Sequence, residues 1–276
     1  MGTGHASFKE LIAEHWETLY SFAVRMCLDQ DRAREVVEET FLRAYVGEDN
    51  VPDAPKTVLW LFKISQHVLT KMLSRSPEVS FDLLDQTLRS EATRTDVVRS
   101  LAEPRRDFLL WELKQGCMTS VVNCLSPGER AAFVLGVIMK LSDSDAAQTL
   151  CISSSAYRVR VSRSKKKIAD YLAPRCEHVD PRNPCRCPAR IGVALSKGFI
   201  SGGVVNLRQP PQSYGRYGVG PDQEDKPQRD ITAIYGGLPA PRMPEDLMSH
   251  LVEQLENGAW DAVRADCAAE GPGEGA

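Results

Sequence analysis

Residues 176 to 187 read CEHVDPRNPCRC and carry the densest coordination chemistry in the chain. The pattern is Cys176-x-His178, six intervening residues, then Cys185-x-Cys187. Three thiolates and one imidazole make a complete tetrahedral set for zinc, and are soft enough for copper(I) or cadmium. Asp180-Pro181 and Asn183-Pro184 are turn formers that would fold the two pairs towards each other. The spacing is shorter than in standard zinc fingers, so three readings stand side by side: a metal sensor, a purely structural zinc knuckle, and a turn with free thiols. A second chemistry lies just upstream. Arg158, Arg160, Arg163, Lys165, Lys166 and Lys167 form a cationic row opposed in sequence only by Asp170, and such clusters are rewarded by phosphates. The plain alternative is a solvated basic face. Catalysis has no such support, because there is no phosphate-binding glycine loop and no nucleophile–base pattern. Of the five histidines only His178 has partners for chemistry. The chain therefore reads as a non-enzyme that requires no cofactor, with zinc or copper as the metal its cluster would take.

The cationic row needs a helix to present it. Ser126 can cap one helix, with Pro127 in its first turn and Glu129 completing a capping box. Ala132, Phe133, Leu135, Ile138 and Met139 then recur at helical spacing. Ser142 can cap the next helix, with Asp145 at its third position and Ala146, Ala147 and Leu150 facing inward. After Cys151-Ile152, Ser153 offers a fresh cap for a helix that runs to about Leu172 and carries the cations. Two short helices around a tight turn, the second one basic, are the sequence form of a helix-turn-helix.

Upstream, three amphipathic helices are expected. The first runs from about Ser7 to Cys27, the second from about Asp31 to Val46, and the third from about Lys56 to Leu73, with Pro52 and Pro55 in the loop before it. Residues 77–104 are polar and charged and read as a linker. A helical pattern resumes near Arg105. Beyond Pro188 the chain turns rich in Gly, Pro and Gln, with one amphipathic segment at about 244–257. The fold class is all-α: helical domains at 1–76 and 105–173, the Cys/His cluster at 174–190, and a mostly irregular extension at 191–276.

The 276 residues carry a formal net charge of -3, yet the charge is segregated. Asp29 to Asp49 is acidic and Arg158 to Lys167 is basic, which suits selective rather than indiscriminate attraction to DNA. No apolar stretch is long enough to span a bilayer, and the N-terminus lacks a signal-peptide core, so the expected location is the cytoplasm. The eight cysteines then read as reduced thiols or metal ligands. Cys27, Cys117, Cys124 and Cys151 read as small core residues.

The order of these segments resembles the extracytoplasmic-function (ECF) sigma factors of bacterial RNA polymerase over about Ser7 to Leu172. DRAREVVEETFLRAY (Asp31 to Tyr45) with WLFKISQHVL (Trp60 to Leu69) carries one part of the likeness. LSPGERAAFVL with LSDSDAAQTLCISSSAYRVRVSRSKKKI carries the other. The resemblance implies a region 2 helical bundle and a region 4 helix-turn-helix joined by a flexible linker. It implies core RNA polymerase (the β′ coiled coil and the β subunit) and promoter DNA as partners, no membrane, and a monomer when free. Glu35, Glu38, Glu39 and Phe41 match the positions that dock on the β′ coiled coil; a solvated acidic face is the alternative. Lys63, His67 and Lys71, with Trp60 and Arg75, match the segment that captures the minus-ten strand, although Trp60 reads more readily as a core residue. Ser154, Ser155, Ala156, Arg158, Arg160, Arg163 and Lys165 match the helix that reads the minus-thirty-five element. The cysteine-rich extension resembles that of a metal-responsive subset of the family.

The chain departs from the family pattern at identifiable places. Arg34 stands where an acidic residue is usual, and Glu38 where glutamine is usual. Gln66, Thr70, Lys71 and Ser74 replace a stretch that usually carries arginines and an aspartate. Cys151 holds a turn position usually given to glycine, and a positive φ there would cost stability. Two other functions are compatible with the same residues. One is a dimeric helix-turn-helix regulator that never engages polymerase core, and the other is a degenerate sigma-like metal-binding interaction protein.

Overall fold

The computed structural model describes residues 2–47, 51–52, 56–73, 80–89, 106–196, 200, 230–238 and 240–270. Among them the chain is all-α, and its one isolated β-bridge pairs Cys176 with Cys185. The helices are α1 (Gly2–Cys27), α2 (Gln30–Val46), α3 (Lys56–Leu73), α4 (Phe81–Arg89), α5 (Arg106–Asn123) and α6 (Pro127–Phe133, prolonged by a π turn at Val134–Ile138). They continue with α7 (Asp143–Thr149), α8 (Ser154–Leu172), α9 (Cys187–Ser196), α10 (Ile231–Gly236), α11 (Leu247–Glu256) and α12 (Ala259–Glu270). No described helix is long and apolar enough to cross a membrane.

Residues 1–76, 142–157 and 241–276 form one compact unit, and residues 77–141 and 158–240 form another. The first takes in 142–157, which the sequence places with the helix-turn-helix, because α7 packs on α3. Its centre is the α1–α2–α3 bundle. Asp29 starts α2 by accepting the N–H groups of Asp31 (2.9 Å) and Arg32 (3.0 Å), the expected role of an N-cap carboxylate. Ile12, Leu19, Phe22 and Met26 of α1 meet Val36, Val37 and Phe41 of α2 and Leu61, Phe62 and Leu69 of α3, all buried. The ring of Phe22 stands edge-on to Phe62 at 5.1 Å. One polar link crosses this interior: Thr40 donates to the Val36 carbonyl at 2.6 Å and accepts from Ser65 at 2.9 Å, so neither hydroxyl is left unsatisfied. The hairpin α11–α12 packs onto α1 and α2.

The second unit is built on α5. Phe108, Leu109 and Leu110 pack against Ile191 and Ala194 of α9 and against Ile200. Phe133 meets Tyr235 of α10 edge-on at 5.0 Å, and the Tyr235 hydroxyl donates to the Met118 carbonyl at 3.1 Å. The expected segment at 244–257 is α11, while α9, α10 and α12 add helices to an extension that reads as mostly irregular. These are short helices, and their partners lie far away in sequence. A sequence window therefore misses the tertiary packing that stabilises them. Residues 77–79 and 90–104 of the expected linker and 197–199, 201–229, 239 and 271–276 of the extension lie outside the described residues.

Candidate functional site

The helix-turn-helix is assembled by its serines. The Ser142 hydroxyl accepts the Asp145 N–H at 3.1 Å and donates to the Asp145 carboxylate at 2.6 Å. Helix α7 then ends in a Schellman turn: Cys151 N–H bonds the Gln148 carbonyl (3.1 Å) and Ile152 N–H bonds that of Ala147 (3.0 Å). This geometry places the residue after the cap in the left-handed region, and Cys151 sits there with φ 52°. Cys151 is exposed rather than a core cysteine. Ser153 accepts the Ala156 N–H at 3.2 Å and so starts α8. The Ser126 cap differs from expectation. Its hydroxyl turns to the Glu129 carboxylate (2.8 Å) and makes no bond to a backbone N–H.

Along α8, Ser154, Ser155, Ala156, Arg158 and Arg163 are exposed, whereas Arg160 and Lys165 are half-buried. Arg160 lies along the first turn of α6, so close that a Cβ on Gly128 would meet its guanidinium at 3.2 Å. Along α8 itself Asp170 is the carboxylate that opposes the cationic row, and a second comes from another helix. Asp170 pairs with Lys166 at 3.1 Å, but Lys167 pairs with Glu129 at 2.8 Å. Burial pushes the Glu129 carboxyl upwards, yet the hydrogen bonds from Lys167 and Ser126 outweigh it and hold the group below the ordinary carboxylate range.

On α3, Lys63, His67 and Lys71 are exposed, and their spacing of four residues aligns them on one stripe. Trp60 is half-buried, and Arg75 lies outside the described residues. On α2, Glu35 is exposed, and Glu38 and Glu39 are half-buried. Glu39 accepts from Arg43 at 2.6 Å. Phe41 corrects the expectation of a surface contact. It is 0% exposed and meets Phe8 edge-on at 6.5 Å, because its register along α2 is that of Val37 and Ala44 in the core.

The cysteine segment folds as a compact knuckle between α8 and α9. The Cys185 N–H bonds the Arg175 carbonyl (3.0 Å) and the Glu177 N–H bonds the Cys185 carbonyl (3.3 Å). Asn183 ties the turn down by donating to the carbonyls of Ala173 (2.6 Å) and Cys176 (3.0 Å). Cys176 and His178 are buried, and Cys185 and Cys187 half-buried. The Cys187 sulfur lies 3.4 Å from His178 Nε2, close to the ~3.6 Å that separates sulfur and nitrogen on one tetrahedral zinc. No group of three or more His, Cys, Asp or Glu among the described residues is arranged to hold a metal ion. Burial pushes the Cys176 thiol up to about 11.

The sequence reading missed Cys117 of α5. Burial first, then the neighbouring Cys176 and Cys185, raise its thiol to about 12, which places it in the same electrostatic neighbourhood as the knuckle. Nothing local marks Cys117 out, since its helical apolar context is that of any core cysteine. Also unforeseen were Asp246, His250 and Asp261, polar groups of the α11–α12 hairpin that reach α2.

Among the described residues the chain is all-α, with a capped helix-turn-helix and a helical bundle whose second helix has an acidic outer face. No family model matches it. The chain is 29% identical over 170 residues to the ECF RNA polymerase sigma factor SigE of Mycolicibacterium smegmatis, covering 60% of this chain and 62% of that protein. It is 25% identical over 167 residues to the RNA polymerase sigma factor CnrH of Cupriavidus metallidurans, covering 60% of this chain and 86% of the relative. The chain thus spans less than two thirds of the mycobacterial protein. A solved sigma factor, RpoE of Bartonella quintana in complex with the anti-sigma factor NepR, matches 60% of this chain with 19% identity and a TM-score of 0.42. SigW of Bacillus subtilis, 20% identical over 167 residues and covering 60% of this chain and 89% of that protein, is likewise an ECF RNA polymerase sigma factor.

Proposed function

We propose that the chain is a sigma factor of the ECF type, which binds core RNA polymerase and directs initiation at specific promoters. The observation that carries this reading is the alignment over 170 residues with an ECF sigma factor. The geometry agrees with it at two places. Glu35, Glu38 and Glu39 give α2 an acidic outer face for a basic partner. The exposed N-terminal turn of α8, with Ser154, Ser155 and Ala156 followed by Arg158 and Arg163, offers hydrogen-bond donors to base edges and phosphates. Lys63, His67 and Lys71 on α3 supply further contacts to the DNA strand in this reading. The chain's own contribution is positional: it adds recognition to a polymerase that performs the chemistry.

The test is run-off transcription with purified protein and core RNA polymerase on a library of promoter fragments. Discrete transcripts that require the protein support the assignment. Binding to core without any transcript indicates a degenerate sigma-like protein, and a dimer on a palindromic site without core binding indicates an ordinary regulator.

A metal-responsive role for the knuckle is part of the same proposal. The His178–Cys187 pair stands at ligand separation. Zinc or copper(I) would draw the thiols of Cys176 and Cys185 in to complete the set, with release of their protons. Stoichiometric zinc uptake is expected for the wild type and is expected to vanish in the Cys185→Ser/Cys187→Ser double variant. Equal uptake by both would remove this pair from the site.

A further inference from the structure

The α11–α12 hairpin is held on the first unit by contacts that fall on α2. Asp246, just before α11, accepts both guanidinium N–H groups of Arg34 at 2.8 Å each. His250 lies 3.0 Å from Glu38, and the Tyr45 hydroxyl donates to Asp261. Positions 34, 38 and 45 share one stripe of α2, being four and seven residues apart. Under these polar contacts lie apolar anchors. Leu247, Leu251 and Leu255 recur every four residues and are at most 1% exposed. Trp260 is buried against Phe8 (6.2 Å) and Tyr45 (6.0 Å), and the Arg264 guanidinium lies 5.5 Å over the Tyr45 ring. Lys9 of α1 closes the edge on Glu256 at 2.7 Å.

We infer that this face of α2 is a docking surface for a helical partner, and that the chain's own C-terminal hairpin occupies it in competition with RNA polymerase. The inference rests on the sigma-factor reading, which gives α2 its partner. Glu38 cannot serve that partner while it faces His250. The exposed Glu35 and the Glu39–Arg43 pair lie beside the covered stripe. Arg34 and Glu38 are also the two α2 positions at which the sequence departs from the ECF pattern. Both departures acquire a reason here, since each supplies a group complementary to the hairpin. The occupant is specified by chemistry as well as by shape. A carboxylate meets Arg34, an imidazole meets Glu38, and three leucines and a tryptophan fill the apolar seam. A hairpin docked nine-tenths of the time would weaken apparent affinity for core enzyme about tenfold.

The experiment uses the full chain and two hairpin variants that act through independent contacts. One reverses the exposed polar contacts, Asp246→Arg with His250→Glu, and the other removes the aromatic anchor, Trp260→Ala. Hydrogen exchange along α2 reads whether the hairpin has been released. Binding to core RNA polymerase, measured by fluorescence anisotropy, reads the consequence. The expected result is faster exchange over residues 34–45 in both variants, with core affinity raised about tenfold and promoter-dependent transcript raised with it. Released hairpins with unchanged core affinity would overturn the competition. Unchanged exchange in both variants would overturn the docking itself. Released hairpins in proteins that bind no core at all would overturn the sigma-factor reading, and core binding by the unaltered chain tells that failure from failure of the competition.

Discussion

Cys151 carries a cost that can be read from its backbone. It is exposed and adopts φ 52° after α7, a region where a Cβ crowds the following carbonyl and an L-residue loses about 1–2 kcal/mol relative to glycine. The Schellman bonds of Ile152 and Cys151 hold it there, so the turn is imposed by the helix junction rather than preferred by the residue. Cys151→Gly removes the strain and loses little packing, while it loosens the unfolded chain. The expected net gain is about 0.5–1 kcal/mol, measured as a higher urea midpoint at unchanged slope. An unchanged or lower midpoint would mean that the thiol makes a stabilising contact. The strain was foreseeable from sequence, because the turn position was recognised and glycine was missing. The capping serines Ser142 and Ser153 were equally legible, since an N-cap acts within three residues of itself. Lys167 was not. Its partner Glu129 stands on another helix, and an ion pair across 38 positions leaves no local trace.

At the scale of the helix, α2 has a core face, to which Phe41 belongs, and an acidic outer face, which is the partner face in the proposed function. Helical periodicity alone puts residues 33, 36, 37, 40, 41 and 44 on one side. The resemblance pointed Phe41 towards polymerase, but the packing against Phe8 makes it part of the core. Phe41→Ala should therefore cost about 3–5 kcal/mol of stability, as for other buried phenylalanines, and lower the thermal midpoint of the free protein. Glu35→Lys should do the reverse. As an exposed substitution it should change stability by no more than about 0.5 kcal/mol, while weakening binding to core enzyme through like-charge contact with a basic partner. Thermal unfolding alongside core-binding measurements on both variants separates the faces. A Phe41→Ala protein with unaltered stability would return that side chain to the interface. The helices themselves were legible wherever an apolar stripe ran for several turns, as in α1, α2 and α3. They were not legible in α9, α10 and α12, whose few apolar positions acquire meaning only from Phe108, Phe133 or Phe8 at the other side of the contact.

For the molecule as a whole, a net charge of -3 means that, in the proposed function, DNA would be attracted by a few local cations against a repulsive background. Affinity should accordingly be modest and steeply salt-dependent, and the slope counts the cations that reach phosphates: log K falls with log salt by about 0.9 for each phosphate neutralised. The structure divides the cationic row of α8 on this point. Arg163 is exposed with its charge turned to solvent, whereas Lys167 is engaged by Glu129 and Lys166 by Asp170. In the complex with core enzyme on a promoter fragment, Arg163→Ala is expected to flatten the salt slope by about 1. Lys167→Ala should leave that slope unchanged, because its ammonium is already neutralised within the protein. It should instead destabilise the free chain, since the carboxylate of Glu129 is buried beside Ser126 and loses its cation. Titrations of both variants between low and moderate salt decide the matter. Equal flattening by the two substitutions would show that Lys167 leaves Glu129 for phosphate when DNA is bound, and that the row acts as one undivided electrostatic surface.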